Sequence, residues 1–142
     1  MADCVRDLLS GANVHDVCVD ASVSTTDTTH RLTVISYNLH GFNQGRHGLM
    51  ELISTLQPDA IMVQEHWLTP DNLYKLSEIS DEYFVFGLSA MNEGVGTGPL
   101  IGRPYGGTAI FINKKHICSS VNITSCDRFT VVKIAHWLLI SV

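Results

Sequence analysis

Residues 32–42, LTVISYNLHGF, decide the fold. The first six are rich in β-branched and aromatic side chains, which is typical of a β-strand, and Asn38 follows where that strand runs out. Residues 59–67, DAIMVQEHW, repeat the arrangement, with an apolar run that leads into Glu65. Each segment therefore predicts a strand that ends in a polar side chain.

A helix is predicted between these two strands. Apolar side chains recur there at helical spacing, at Leu49, Met50, Ile53 and Leu56. Pro58 closes the segment, so we expect the helix over about residues 46–56. A β-α-β order implies a parallel strand pair with a right-handed crossover. Because ligands of open α/β sheets gather outside the strand ends, we expect the chemistry near Asn38 and Glu65.

The later part of the chain predicts one more helix and several strands. Thr69 is suited to cap a helix whose first residue is Pro70, and residues 83–86, YFVF, predict a third strand. Further strands are expected at residues 108–112, 121–124 and 129–142, the last bent near His136. No helical pattern separates these, so we expect antiparallel hairpins or a meander.

Length and composition indicate one globular domain. The chain has 142 residues, of which 45% are apolar and 16% charged. Residues 1–30 contain a polar Ser/Thr-rich tract and predict a flexible arm, so the domain is expected over residues 31–142. No apolar run approaches the roughly 20 residues that cross a bilayer, and the N-terminus does not resemble a signal peptide. We therefore expect no membrane contact and a nuclear or cytoplasmic location.

The four cysteines are irregularly spaced and include no C-x-x-C pair. A zinc site can be drawn from His116, Cys118, Cys126 and His136, but the spacing matches no closed zinc module. We interpret the cysteines as reduced, small apolar side chains.

Charge is distributed unevenly along the chain. The net charge is −5. Residues 1–99 carry four basic and thirteen acidic side chains, a net −9, whereas residues 100–142 carry five basic side chains and one acidic, a net +4. The basic portion, which includes Arg103, is suited to phosphate groups. The alternative is an ordinary surface cluster, because charge alone does not identify a partner.

Glu65 and Asn38 are the main candidates for a functional site. A carboxylate at the end of a buried strand is costly unless it is paired, and Mg²⁺ is commonly held by one or two carboxylates together with substrate phosphates. The Asn38 amide can donate to a phosphate oxygen or hold a metal-bound water. The alternatives are an exposed acid at Glu65 and a turn residue at Asn38.

Three histidines are candidates for a general base. His40 and His66 are interpreted as loop residues near the site, and His136 as a packed core histidine in an apolar strand. The glycine-rich loop from Gly94 to Gly107 precedes a strand instead of opening a helix, so it is not a dinucleotide-binding fingerprint. We interpret it as a surface loop, with contact to nucleic acid as a second possibility.

Three motifs in order resemble the endonuclease/exonuclease/phosphatase superfamily, most closely the endonuclease domain of non-LTR retrotransposons. They are SYNLHGF at residues 36–42, QEHW at 64–67 and GRPYGGTAIFI at 102–112. The resemblance covers residues 32–142. It implies an α/β fold that is part of a two-sheet β-sandwich flanked by helices, similar to deoxyribonuclease I and truncated at the C-terminus.

The resemblance also implies roles for individual residues. Glu65 would be a catalytic ligand of Mg²⁺ or Mn²⁺, and Asn38 a catalytic residue of the same phosphate and metal site. Arg103 would join Asn38 in binding the substrate, which in the complete domain is DNA. The glycine pair Gly106-Gly107 would open a structural strand.

The sequence departs from the family in its later motifs. A catalytic tyrosine, an Asp-x-Asn pair and a closing Asp-His pair have no counterpart, since the only aspartates after Glu65 are Asp71, Asp81 and Asp127. We therefore expect the N-terminal part of an endonuclease domain that does not hydrolyse DNA by itself. A phosphatase of the same superfamily and a non-enzymatic remnant that binds a partner are the alternatives, and the oligomeric state stays open.

Overall fold

A computed structural model of the chain describes residues 31–92, 103–126 and 128–142. The expected arm at residues 1–30 and most of the glycine-rich loop lie outside the described residues. The elements follow in the order β1 (Val34–Asn38), α1 (Phe42–Leu56), β2 (Ala60–Gln64), a 3₁₀ turn (Pro70–Asn72), α2 (Tyr74–Ser77), β3 (Tyr83–Leu88), β4 (Thr108–Asn113), a 3₁₀ helix (Lys114–Ser119), β5 (Ser120–Cys126), β6 (Phe129–Ile134) and β7 (Trp137–Ser141).

The first sheet has the strand order β1-β2-β4-β3. The predicted parallel pairing of β1 and β2 is confirmed, with Asn38 opposite Gln64. Strand β4 lies antiparallel between β2 and β3, so the prediction that it forms a hairpin or meander with the later strands is wrong. The physical reason is its composition, since Thr108 to Ile112 are all buried. A strand that is apolar on both faces belongs in the centre of a covered sheet.

The second sheet is an antiparallel meander of β5, β6 and β7. The predicted break in the last strand is confirmed, because Ile134 pairs with Trp137 across a two-residue turn. His136 lies in that turn and is exposed. Its interpretation as a core histidine is therefore wrong.

Two apolar cores hold the layers together. One lies between the first sheet and the helices and includes Leu49 and Phe111, which are fully buried. The other lies between the two sheets and includes Ile110 and Val132. The predicted two-sheet sandwich with helices outside is confirmed. No helix in the described ranges is long and apolar enough to span a membrane.

Helix α1 begins at Phe42, four residues before the predicted start. Phe42 and Gly45 are buried on the sheet, and a Cβ on Gly45 would lie 2.4 Å from the backbone oxygen of Leu39. The apolar periodicity that marks the later turns is absent here, so the sequence pattern missed the first turn. The helix predicted after Pro70 is short, a 3₁₀ turn followed by the four-residue α2.

Candidate metal and phosphate site

The three sequence motifs meet at one edge of the first sheet. Strands β1 and β2 are parallel and end there, while the antiparallel β4 begins there. The backbone N–H of Gly41 donates to the carbonyl oxygen of Glu65 at 2.8 Å, and the N–H of Trp67 donates to that of Gly106 at 2.9 Å. These hydrogen bonds join the loops that carry the three motifs to one another.

Asn38 is half-buried at the end of β1. Its Oδ1 accepts the backbone N–H of His40 at 2.9 Å, which stabilises the left-handed conformation of that residue, with φ 48°. The side-chain Nδ2 is not engaged by any described residue, and the amide oxygen keeps a second lone pair. Asn38 thus offers two N–H donors at the sheet edge.

Glu65 directly follows β2, also in the left-handed conformation, with φ 56°. Its Oε2 accepts the indole N–H of Trp67 at 2.7 Å. Within the described ranges Oε1 has no hydrogen-bond partner. The carboxylate is therefore held by one oxygen and leaves the other for a ligand.

Trp67 is a residue of the site that the sequence analysis missed. A Cβ on Gly41 would lie 2.6 Å from its ring, so the indole packs closely against the Gly41 backbone. The guanidinium carbon of Arg103 lies 5.2 Å from the ring centroid, which is a cation–π contact. Arg103 is exposed, and this contact places its charge on the ring of the tryptophan that bonds Glu65. The only sequence signal was an aromatic residue two positions after Glu65.

His66 lies in the loop after β2, next to Glu65, as expected, but its imidazole points into the protein interior and does not face the site. It is fully buried. Its Nδ1 accepts the N–H of Leu68 at 3.0 Å, so Nε2 carries the proton and donates to the carbonyl oxygen of Leu88 at 3.0 Å. Burial lowers the pKa of the imidazole below its ordinary value, against the opposing effect of the Leu88 hydrogen bond. His66 is a neutral structural residue, whereas His40 is exposed.

Gln64 supports the site from inside the sandwich. Its Nε2 donates to the Ser141 hydroxyl at 3.1 Å, and that hydroxyl donates to the carbonyl oxygen of Val63 at 2.9 Å. Ser141 belongs to the second sheet and is buried. The residue before Glu65 therefore ties the two sheets together.

A separate polar cluster occupies the opposite edge of the first sheet. The Asp59 carboxylate accepts the N–H of Thr33 at 2.7 Å and contacts Lys115 at 2.5 Å and His116 Nε2 at 2.8 Å. Burial disfavours the charge of Asp59, but these hydrogen bonds outweigh it and hold its pKa below the ordinary value. His116 was one of the four residues of the zinc site considered from the sequence. In the structure it is paired with the Asp59 carboxylate.

The residues at the sheet edge offer oxygen donors for the metal expected from the sequence. Where the chain is described, no three His, Cys, Asp or Glu side chains form a metal-binding group. Glu65 supplies one carboxylate oxygen and Asn38 an amide oxygen. Mg²⁺ commonly takes one or two protein carboxylates and fills its other positions with waters and substrate phosphates. The donor set therefore fits a partly hydrated Mg²⁺ or Mn²⁺, and it does not form a closed site.

Solved structures with a similar fold include a 3′ phosphatase from Neisseria bound to a product DNA hairpin, with 13% sequence identity and a TM-score of 0.54. An AP endonuclease from Archaeoglobus fulgidus also has a TM-score of 0.54, at 18% identity. Each comparison covers 78% of this chain and 40% of the other. TDP2 of D. rerio, complexed with a single-strand DNA product, has a TM-score of 0.43 at 21% identity, covering 77% and 43%. This chain thus spans less than half the length of these proteins.

No curated protein matches the sequence. A family model described as the Endonuclease/Exonuclease/phosphatase family matches residues 35–121, which is more than half of the chain and includes Asn38, Glu65 and Arg103. Members of this family are metal-dependent nucleases and phosphatases. The chain belongs to the endonuclease/exonuclease/phosphatase family.

Proposed function

We propose that residues 31–142 form the N-terminal part of a metal-dependent endonuclease domain that hydrolyses DNA phosphodiesters, of the kind found in non-LTR retrotransposons. The observation that carries the proposal is the convergence of the loops that hold Asn38, Glu65 and Arg103 at one sheet edge. Together they combine an amide donor, a carboxylate with one unengaged oxygen, and an exposed guanidinium. This is the chemistry that a metal-bound phosphate needs.

Each residue has a distinct role in this proposal. Glu65 holds Mg²⁺ or Mn²⁺ through its carboxylate, with Asn38 as the neighbouring ligand or as a donor to the phosphate. The metal, when bound, stabilises negative charge on the phosphoryl group or leaving oxygen. Arg103 binds a phosphate of the DNA backbone, where its planar set of N–H donors favours bidentate contact.

We also propose that the 142-residue chain does not nick DNA by itself. Hydrolysis needs a group that takes a proton from water, and His66 is buried with both ring nitrogens engaged. The sequence has no counterpart of the family's tyrosine, Asp-x-Asn or Asp-His motifs. The chain therefore carries a metal and phosphate site without a complete catalytic set.

Metal binding and DNA nicking test the two parts of this proposal separately. We expect Mn²⁺ to bind the chain in a calorimetric titration, and Glu65→Gln to abolish that binding. Glu51→Gln, at an exposed acid of helix α1, is the matched control and should bind like the parent.

Supercoiled plasmid incubated with the parent chain and Mg²⁺ should stay intact. Nicking that disappears in Glu65→Gln would refute the proposed inactivity and support the endonuclease assignment. Unchanged Mn²⁺ binding in Glu65→Gln would refute the metal site. Release of phosphate from a small phosphomonoester, without DNA nicking, would favour the phosphatase alternative.

A further inference from the structure

The Trp67 indole holds the carboxylate of the proposed metal ligand. Its N–H donates to Oε2 of Glu65 at 2.7 Å, a short bond of the charge-assisted kind. We propose that Trp67 is the positioning residue of this metal site: it fixes the Glu65 carboxylate through Oε2, so that Oε1 is the oxygen available to the cation. This inference rests on the proposed function, because it assumes that Glu65 binds the metal.

The backbone is shaped so that two residues so close in sequence bring their side chains together. Glu65 and Trp67 both have left-handed backbone conformations, with φ 56° and 54°. Residues other than glycine rarely adopt this conformation. Hydrogen bonds hold the conformation, because Gly41 donates to the Glu65 carbonyl and Trp67 donates to Gly106. Unfavourable backbone angles that the surrounding structure maintains are typical of functional sites.

The Trp67 ring is held in place by contacts with two other segments of the chain. Its six-membered ring lies against Gly41, where a Cβ would approach to 2.6 Å, so position 41 accepts only glycine while the indole is there. The guanidinium of Arg103 contacts the same ring, with its carbon 5.2 Å from the centroid. One rigid side chain therefore sets the position of the proposed metal ligand and of the proposed phosphate-binding cation.

The chemistry of the donor suits a metal ligand. An indole N–H donates without accepting and carries no charge, so it orients the carboxylate without placing a positive charge beside the cation site. A lysine at the same place would also donate, but its charge would compete with the metal for Glu65. Removal of a hydrogen-bond partner that orients a metal ligand typically lowers metal affinity about 10–100-fold.

Trp67→Phe tests the proposal, because it keeps an aromatic side chain at this position and removes the N–H donor, together with one of the two fused rings. We expect the full chain with this substitution to bind Mn²⁺ about 10-fold or more weakly in a calorimetric titration. Trp137→Phe is the matched control. The Trp137 indole nitrogen is buried without a hydrogen-bond partner among the described residues, so its removal should leave Mn²⁺ affinity unchanged.

A spectroscopic measurement keeps Trp67 intact and avoids any loss of folding. Trp67 and Trp137 are the two tryptophans of the chain, so the Trp137→Phe chain reports Trp67 fluorescence alone. We expect Mg²⁺ to change that emission, and the added substitution Glu65→Gln to abolish the change. A purely structural Trp67 would not respond to the metal.

The outcomes separate this inference from the proposed function. If Trp67→Phe binds Mn²⁺ like the parent while Glu65→Gln does not bind, the inference is wrong and the metal site stands. Emission of Trp67 that does not change when Mg²⁺ binds would also overturn the inference. If the parent chain binds no Mn²⁺ at millimolar concentration, the metal site and the inference are both wrong.

Discussion

Gly107→Ala should be among the most destabilising single substitutions at the sheet edge. Gly107 has φ 88°, in the region that favours glycine, and an added Cβ would lie 2.2 Å from Cε1 of His66. The imidazole cannot easily move away, because it is fully buried and hydrogen-bonded to the Leu68 N–H and the Leu88 carbonyl. The added methyl must therefore displace a ring that is held by two bonds.

The expected loss of stability has two contributions. A left-handed conformation costs a residue other than glycine about 1–2 kcal/mol. Displacing the His66 ring breaks at least one of its hydrogen bonds and leaves a buried polar group unpaired, which costs about 1–3 kcal/mol. Together Gly107→Ala should reduce the free energy of unfolding by about 2–5 kcal/mol, a large part of the roughly 5–15 kcal/mol of a typical domain.

Urea denaturation followed by circular dichroism measures this effect, and Gly106→Ala is the matched control. Gly106 also has a positive φ, 60°, but its added Cβ would meet only the Ala90 methyl, at 2.8 Å. Gly107→Ala should therefore be the more destabilising by at least about 1 kcal/mol. In a His66→Ala background this difference should shrink, because the displaced ring is absent. Equal effects of the two glycine substitutions in the parent would refute the reasoning.

Two further predictions concern side-chain hydrogen bonds of Asp59 and Ser141. The pKa of Asp59 is lowered in the folded chain. The charged carboxylate therefore stabilises the fold at pH values above its ordinary pKa of 3.8, and this contribution is lost as the pH falls through the lower pKa of the folded state. Asp59→Asn should therefore destabilise the chain by about 1 kcal/mol at pH 7 and by less at pH 3 in urea denaturation; an equal loss at both pH values would contradict this. Ser141→Ala should cost about 1–3 kcal/mol, because it leaves polar atoms of Val63 and Gln64 without their partner. Ser54→Ala, at an exposed serine of α1, should change stability by less than about 0.5 kcal/mol. Urea denaturation of both variants measures the difference, and equal effects would contradict the inter-sheet role of Ser141.

The expected effects at Gly107 and Ser141 share a cause that bears on the candidate site. Gly107 packs on His66 and Ser141 bonds to Gln64, so both support the residues on either side of Glu65. The carboxylate itself is half-buried and stays accessible at the sheet edge. The site is thus built on rigid support, which is what precise placement of a metal ligand needs.

The sequence by itself determined the elements that depend on local pattern. The β-α-β order of residues 34–64 follows from strand composition and helical periodicity, and it led directly to the parallel pair of β1 and β2. Because parallel strands end at the same edge, the sequence pattern alone predicts that Asn38 and Glu65 lie near each other. The later break near His136 followed from the same kind of pattern.

Only the tertiary structure decided which strands meet and what the side chains contact. Both faces of strand β4 are apolar and must be covered, so β4 lies inside the first sheet, between β2 and β3. The sequence pattern does not show which strands pair with it. His66 is buried, and Trp67 bonds to Glu65, because loops far apart in sequence impose left-handed backbone angles on this segment. Arg103 reaches the site through contact with that same indole. Local periodicity identified the strand ends, whereas long-range packing determined how their side chains are oriented.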